Sequence, residues 1–426
     1  MPVSRRSDGV LELGGVSLVG LADGARETPT YVYDLDGMAA EAREIGAAFE
    51  GAPNLVAYAV KANSAGPIVR ALGGEGCGAD VVSGAELMLA LACGISPDRI
   101  VYSGVGKSDG ELDQAIIAGP DGILAIQIES VEEIARVAAR ARAASCVARI
   151  SLRINPGVDE ETLDTHSYIA TGHDEAKFGV PLACVSDALE RVKQETSLRL
   201  VGLTSHVGSQ FTTVDPYLEA ARVLFDLTKS VRARFALSFV DTGGGFGIDY
   251  GEGCTTRPAD FVRATRRLQK KAGLDDLLLA CEPGRSLVAS HGVLLARVLQ
   301  RKVGDAGRRW ILIDAGMNDL MRPALYQARH RVVPLATPKT GASAPFRVVG
   351  PVCESSDDFG VHELPEEDVA AVALLDAGAY GYSMASRYNG RALPGEVFLR
   401  GGNVVGNTAR KGPDDWVLDR LHAGNG

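Results

Sequence analysis

From residue 55 onward the sequence alternates eight times, over some 250 residues, between a short apolar run and a segment patterned as an amphipathic helix. The apolar runs are Val56–Val60, Ala79–Val82, Ile100–Gly104, Ile123–Ile128, Ala148–Ile154, Leu200–Val207, Ala236–Asp241 and Leu277–Glu282. Among the segments between them, Gly84–Cys93, Val131–Ala144, Pro216–Arg234 and Pro258–Ala272 carry the helical period. Strand followed by helix, repeated, makes neighbouring strands parallel, because only a crossover returns the chain to the start of the next strand. Two architectures meet that requirement, a closed (β/α)8 barrel and a doubly wound open sheet. No Gly-x-Gly-x-x-Gly follows the first strand, which counts against the open sheet.

The placement of polar residues decides between them. Lys61, Asp80, Asn155, His206, Gly243 to Gly245 and Glu282 each fall at or just past the C-terminal end of an expected strand. In a barrel those ends converge on one mouth, the face where active sites are built. The prediction is therefore a TIM barrel over residues 35–285. After Glu282 the texture changes to strand-like runs separated by Pro- and Gly-containing loops: Leu287–Val303, Trp310–Asp314, Arg331–Pro334, Phe346–Val349, Val369–Asp376 and Glu396–Leu399. These predict a C-terminal β-sandwich or β-barrel domain over residues 286–426. Leu11–Leu21 and Thr30–Asp34 also read as strands, so residues 1–34 are expected to join that β-domain.

Composition narrows the functional classes. Forty-four basic against 54 acidic residues leave a formal charge of −10, which disfavours nucleic-acid binding. Met1–Val10 has no apolar core, and no uninterrupted apolar stretch approaches the length of a membrane span, so neither a secretory signal nor a membrane segment is expected. Seven cysteines stand singly, without a C-x-x-C pair, and seven histidines are dispersed. The pattern fits a reduced, cytoplasmic protein with neither a disulfide framework nor a metal site of its own.

Three features carry chemistry. Lys61 closes Val56-Ala57-Tyr58-Ala59-Val60, five uncharged residues, so its amine is delivered to a partly dry place where it can condense with a carbonyl. A strand-end lysine can equally be a solvated one. Asp241-Thr242-Gly243-Gly244-Gly245-Phe246-Gly247 lets backbone N–H groups approach phosphate oxygens without Cβ interference, although a plain glycine turn would look similar. Glu282 emerges from Leu277-Leu278-Leu279-Ala280-Cys281, where burying a carboxylate is costly unless a cation receives it. That cation can be Arg285, or the protonated nitrogen of a pyridine. His206 can stack on a flat ring or serve as an ordinary core histidine. Amine, phosphate cradle and pyridine carboxylate together fit pyridoxal 5′-phosphate (PLP).

From about Thr30 to Arg400 the chain resembles the barrel-type PLP-dependent decarboxylases, which have the alanine-racemase-like fold. The motifs are Tyr58-Ala59-Val60-Lys61-Ala62-Asn63, Asp80-Val81-Val82-Ser83-Gly84, His206-Val207-Gly208-Ser209-Gln210, Gly243-Gly244-Gly245-Phe246-Gly247-Ile248-Asp249-Tyr250 and Glu282-Pro283-Gly284-Arg285. Three more, Arg322-Pro323-Ala324-Leu325-Tyr326, Gly350-Pro351-Val352-Cys353-Glu354-Ser355 and Gly378-Ala379-Tyr380-Gly381, with Lys177-Phe178-Gly179, resemble the branch acting on meso-2,6-diaminopimelate.

The resemblance implies decarboxylation of that substrate to L-lysine and CO2, the final step of lysine biosynthesis. It implies that Lys61 holds PLP, His206 stacks on it and Glu282 pairs with the ring nitrogen. Asp80, Ser209, Gly243, Gly244, Gly245, Gly284 and Arg285 would complete the cofactor site. Arg285, Arg322, Tyr326, Glu354 and Tyr380 would bind substrate, and Cys353 would act near the reacting carbon. It further implies a homodimer whose sites are shared across the interface. Ser356 and Arg387 depart from the family pattern. Decarboxylases of ornithine, arginine or carboxynorspermidine are the alternative, against which the Arg322 motif speaks, since a basic tail would want a carboxylate. A catalytically dead regulator is disfavoured by the retained Lys61, Cys353 and glycine run.

Overall fold

The structure, a computed structural model, describes residues 2–23, 27–157, 177–337, 341–367, 369–410 and 412–421. It divides into two compact units. One comprises Ala39–Ile248 and Cys254–Leu287, the other Met1–Met38, Asp249–Gly253 and Val288–Gly426.

In the first unit eight parallel strands close on themselves. They are β1 (Asn54–Ala59), β2 (Gly78–Val81), β3 (Ile100–Tyr102), β4 (Ala125–Ile128), β5 (Ala148–Asn155), β6 (Leu198–Thr204), β7 (Phe239–Asp241) and β8 (Leu278–Cys281). Each pairs with the next, and β8 returns to β1 through Leu279, Ala280 and Cys281 against Asn54, Leu55 and Val56. The open-sheet alternative is thereby excluded. Alternation along each strand fills the interior: Leu55, Ala57, Val101, Ala125, Val201, Phe239 and Ala280 form one buried cluster.

Three successive helices start by the same device. Ser83, Ser108 and Ser130 accept from the N–H of Glu86, Glu111 and Glu133, and each glutamate reaches back to a main-chain N–H at the turn, that of Val82, Ser108 or Glu129. The spacing Ser-x-x-Glu thus marks the loops after β2, β3 and β4. Because these loops lie beyond strand C-termini, the caps also stiffen the barrel's functional rim.

The second unit is mostly strand. Its longest strand, Gly292–Val303, pairs along its first residues with Thr30–Asp34 and with Ala371–Leu374, and along its last with Arg309–Ile313. Thr30–Asp34 also lies parallel to Gly395–Arg400, so the N-terminal segment is an interior strand of this sheet. Its side chains alternate. Val32 joins the cluster of Leu13, Val293, Leu295, Val397 and Leu399, whereas Tyr31 and Tyr33 stack at 5.9 Å on the other face.

Two expected strands are wrong in part. Leu287–Val303 begins only at Gly292, because Arg285–Val288 and Ala289–His291 are helical turns. Of Leu11–Leu21, only Leu11–Leu13 and Val16–Ser17 are strands, and Leu18–Asp23 is a helix. Leu18 and Leu21, one helical turn apart, are both buried in that same core, so a three-residue period wins over alternation here. Asp358–Pro365 and Asn403–Thr408 are additional strands that their polar composition conceals.

Candidate active site

The Lys61 amine is positioned by the turn that ends β1. Val60–Ala62 form a single 3₁₀ turn with Val60 and Ala62 buried, which turns Lys61 away from the strand's apolar faces. Below it the Tyr58 hydroxyl donates to the Asn63 main-chain oxygen at 2.8 Å, and Asn63 Oδ1 accepts from the Ala65 N–H at 3.1 Å. Lys61 Nζ meets Asp80 Oδ2 at 2.6 Å, where the lysine side chain keeps 35% of its exposure and the aspartate none. Ser103 donates to the other Asp80 oxygen, so the carboxylate cannot swing away.

Glu282 follows β8 and is buried. Its Oε1 accepts from Gln127 Nε2, on β4, at 2.6 Å. Burial, with Asp241 and Asp80 nearby, pushes its carboxyl well above the usual range, while Lys61 and Arg153 act in the opposite sense. Asp241, at the end of β7, is likewise pushed up by burial, to about 6. Two adjoining buried carboxyls resist simultaneous ionisation unless a cation arrives. A protonated pyridine nitrogen answers that need.

His206 lies just beyond β6. Its Nδ1 accepts from the Gly244 N–H at 3.0 Å, so a neutral ring carries its proton on Nε2. Burial and then the Arg153 and Lys61 cations hold its basicity well below the ordinary imidazole value. Glu282 Oε2 lies 4.0 Å from the same Nδ1.

The glycine run does more than expose amides. The Gly243 N–H is spent on Asp241 Oδ1 at 2.9 Å, as that of Gly244 is on His206. A Cβ on Gly244 would fall 2.0 Å from the Glu282 carbonyl oxygen. Gly245, at φ +96°, would meet the Gly208 oxygen at 2.3 Å. These glycines therefore let three strand-end loops touch. Beside them Arg285 Nη2 donates to Ser209 Oγ at 3.0 Å, on a turn that includes Gly284. Asn155 turns inward on its own loop, its Oδ1 accepting from the Gly157 N–H at 3.1 Å.

The barrel thus brings together Lys61, Asp80, His206, Ser209, Gly243, Gly244, Gly245, Glu282, Gly284 and Arg285. An amine beside a fixed anion, a buried carboxyl awaiting a cation, a flat neutral imidazole and an arginine–serine pair suit a phosphorylated pyridine aldehyde.

The remaining candidates belong to the β-rich unit. Arg322 is buried, with Nη1 on His330 Nε2 at 2.8 Å and its guanidinium 4.7 Å from the Tyr250 ring centre. Tyr326 ends the same short helix, Arg322–Tyr326. Tyr380 is held at φ +55°, a left-handed conformation that is rare for an aromatic residue, and a Cβ on neighbouring Gly378 would sit 1.9 Å from the Val288 oxygen. Cys353 and Glu354 are exposed. The Cys353 N–H donates to Asn389 Oδ1 at 3.0 Å, and Tyr388 donates to Glu354.

Asp357 is not one of the loop's solvated groups. It is buried, and its two oxygens accept from the N–H groups of Met317 and Val352, each at 2.6 Å, bracing the loop from inside. Ser356 stays outside the left-handed region, so the loop needs no glycine there. Arg387 pairs with Asp419 at 3.1 Å.

Sequence reasoning misses a buried charged network behind the site. Lys107 donates to the oxygens of Gly104 and Gln127 and to Glu133; Glu129 accepts from Gly104, Gly179 and Arg153; Arg153 reaches the His206 main-chain oxygen and lies 4.9 Å from the Phe178 ring. Its signal is a polar residue flanked by apolar ones near a strand end, as in Ile126-Gln127-Ile128 and Leu152-Arg153-Ile154.

Known proteins are similar to this chain in sequence and fold. The pyridoxal-binding domain of the pyridoxal-dependent decarboxylases matches residues 35–289. A diaminopimelate decarboxylase from Helicobacter pylori strain J99 is 42% identical over 398 residues, covering 92% of this chain and 96% of that protein. One from Aquifex aeolicus is 38% identical over 408 residues, covering 95% and 94%. The crystal structure of H. pylori diaminopimelate decarboxylase complexed with L-lysine aligns at a TM-score of 0.86 and 38% identity, over 93% of this chain and 98% of that one. The M. jannaschii enzyme in complex with L-lysine aligns at 0.90 and 32% identity, over 98% and 97%.

Proposed function

The chain belongs to the pyridoxal-dependent decarboxylases, and from that premise we propose that it decarboxylates meso-2,6-diaminopimelate to L-lysine and CO2 with PLP as cofactor. What carries the reading is a pair of contacts at one barrel mouth, Lys61 on buried Asp80 and buried Glu282 on Gln127. The lysine suits a carbonyl group and the glutamate suits a ring cation, at opposite ends of one small molecule.

PLP, when bound, supplies the electron sink that makes loss of CO2 feasible. Lys61 would hold it covalently, with Asp80 keeping the amine aimed. Glu282 would hold the ring-nitrogen proton, and His206 would lie against the ring face. Arg285, Ser209, Gly243, Gly244, Gly245 and Gly284 would surround the phosphate. In this reading residues 35–285 are the cofactor domain, and residues 1–34 with 286–426 supply substrate groups. Arg322, Arg285, Tyr326 and Glu354 would hold the distal amino-carboxylate, since a planar guanidinium binds carboxylate bidentately. Tyr380 would close over the cofactor.

We read Cys353 and Glu354 as reaching the active site of a second subunit in a two-fold dimer, which places two complete sites across one interface. Their exposure, on a loop braced from within by Asp357, supports this over a buried structural cysteine. Seven free thiols support a reducing, cytoplasmic setting, and among the described residues no helix is long and apolar enough to cross a membrane.

Subunit mixing tests the reading. Lys61→Ala and Cys353→Ala proteins, each nearly inactive, should regain partial activity when co-assembled, because one site of the hybrid keeps both residues. Hybrids as inactive as their parents, or an active monomer, would contradict the shared site.

A further inference from the structure

Gln127 is the lone amide on a strand of apolar residues, Ala125-Ile126-Gln127-Ile128, and is 1% exposed. Burying an amide there is unfavourable unless its polar atoms are bonded. Its main-chain oxygen accepts from Lys107 Nζ at 2.7 Å, and that ammonium is itself buried, donating also to the Gly104 oxygen at 2.6 Å and Glu133 Oε1 at 3.0 Å. The strand is thus pinned at this residue by a cation with all three protons used. The side chain then runs to one target, Glu282 Oε1, at 2.6 Å.

The other carboxylate oxygen is treated differently. Glu282 Oε2 faces His206 Nδ1 at 4.0 Å, and Nδ1, as acceptor of the Gly244 N–H, has no proton to give. From the geometry we infer that Gln127 is a positioning residue for Glu282: it occupies Oε1 and so presents Oε2, ionised, to the ring nitrogen of the cofactor. The inference rests on the proposed pairing of Glu282 with that nitrogen.

The chemistry explains why an amide stands here. The anions near Glu282 are Asp241 and Asp80, and the cations are Lys61 and Arg153. Another cation in place of Gln127 would neutralise Glu282 and compete with the ring proton. A carboxylate there would add a third anion. A neutral N–H donor favours the ionised form and leaves its charge available.

The test compares Gln127→Met, close in volume and lacking the donor, with wild type, Glu282→Gln and the double variant. Three quantities are read: the dissociation constant for PLP from its visible absorption, the pH dependence of that absorption at saturating PLP, and kcat with KM. A hydrogen bond to a charged group supports an expected drop in kcat of about 10- to 150-fold. KM should stay near wild type, the pH midpoint of the visible band should be displaced, and PLP should bind more weakly. In the Glu282→Gln background the Met substitution should add nothing.

If Glu282→Gln is slow while Gln127→Met keeps wild-type kcat and spectrum, the positioning role is overturned and the Glu282 pairing stands. If Glu282→Gln itself turns over at the wild-type rate, the pairing falls and the inference with it. An effect of Gln127→Met that persists undiminished in the Glu282→Gln background also overturns the inference, because it acts through packing. Should the Met variant fail to fold, Gln127→Asn, whose amide stops one methylene short of Glu282, carries the same expectations.

Discussion

Replacing Lys61 with alanine should reduce turnover by at least about 10³-fold, in line with loss of a covalent catalytic group. The same change should leave PLP without a covalent attachment. The expectation follows from how completely the amine is specified. Buried Val60 and Ala62 fix the turn, the Tyr58 hydroxyl ties it to Asn63, and Asp80, itself held by Ser103, fixes the amine at 2.6 Å. Among the described residues no second lysine is so placed in the barrel mouth: Lys107 is buried with three acceptors already engaged. Borohydride reduction followed by peptide mapping should therefore put the PLP mass on the Lys61 peptide in wild type and on none in the variant. Retained visible absorption together with turnover in Lys61→Ala would refute the cofactor assignment.

Arg322→Ala should be among the most damaging changes outside the barrel. Its guanidinium is prepared for recognition by two neighbours. His330 Nε2 accepts from Nη1 at 2.8 Å while His330 Nδ1 lies 2.9 Å from the Leu375 carbonyl oxygen. A carbonyl can only accept and a guanidinium can only donate, so the imidazole is neutral, with its proton on Nδ1. Tyr250 lies against the cation's face. Loss of one partner from a desolvated charge pair costs about 2–5 kcal/mol, or roughly 30- to 5000-fold in kcat/KM. Much of it should come through KM, with Arg322→Lys restoring only part because an ammonium cannot grip both carboxylate oxygens in plane. Unchanged kcat/KM for meso-diaminopimelate would remove Arg322 from the substrate site.

The barrel is legible in the sequence because its strands are buried on both sides and end in polar residues, so run length and punctuation both mark them. Lys61 and Glu282 stand out for the same reason, as charged groups closing apolar runs. The N-terminal Leu18–Asp23 helix is not legible, since six residues give too short a window for the helical period to outweigh β-like composition. The glycine run is legible as a turn, whereas its close packing against Glu282 and Gly208 depends on strands remote in sequence. Asp357 illustrates the same limit. An aspartate in Glu354-Ser355-Ser356-Asp357-Asp358 reads as solvated, and only the folded loop shows its two oxygens capturing main-chain N–H groups. Gln127 and Lys107 are missed because a buried polar residue is identified by its partner, 155 positions away in the case of Glu282.

The most direct measurement is decarboxylation across a substrate panel by the purified enzyme with PLP, reading CO2 and amine product together. Meso-2,6-diaminopimelate should release CO2 and L-lysine one for one. Lysine, which lacks the distal carboxylate, should release none, and ornithine and arginine should be turned over poorly or not at all. Comparable rates on ornithine or arginine, or no CO2 from meso-diaminopimelate, would contradict the account.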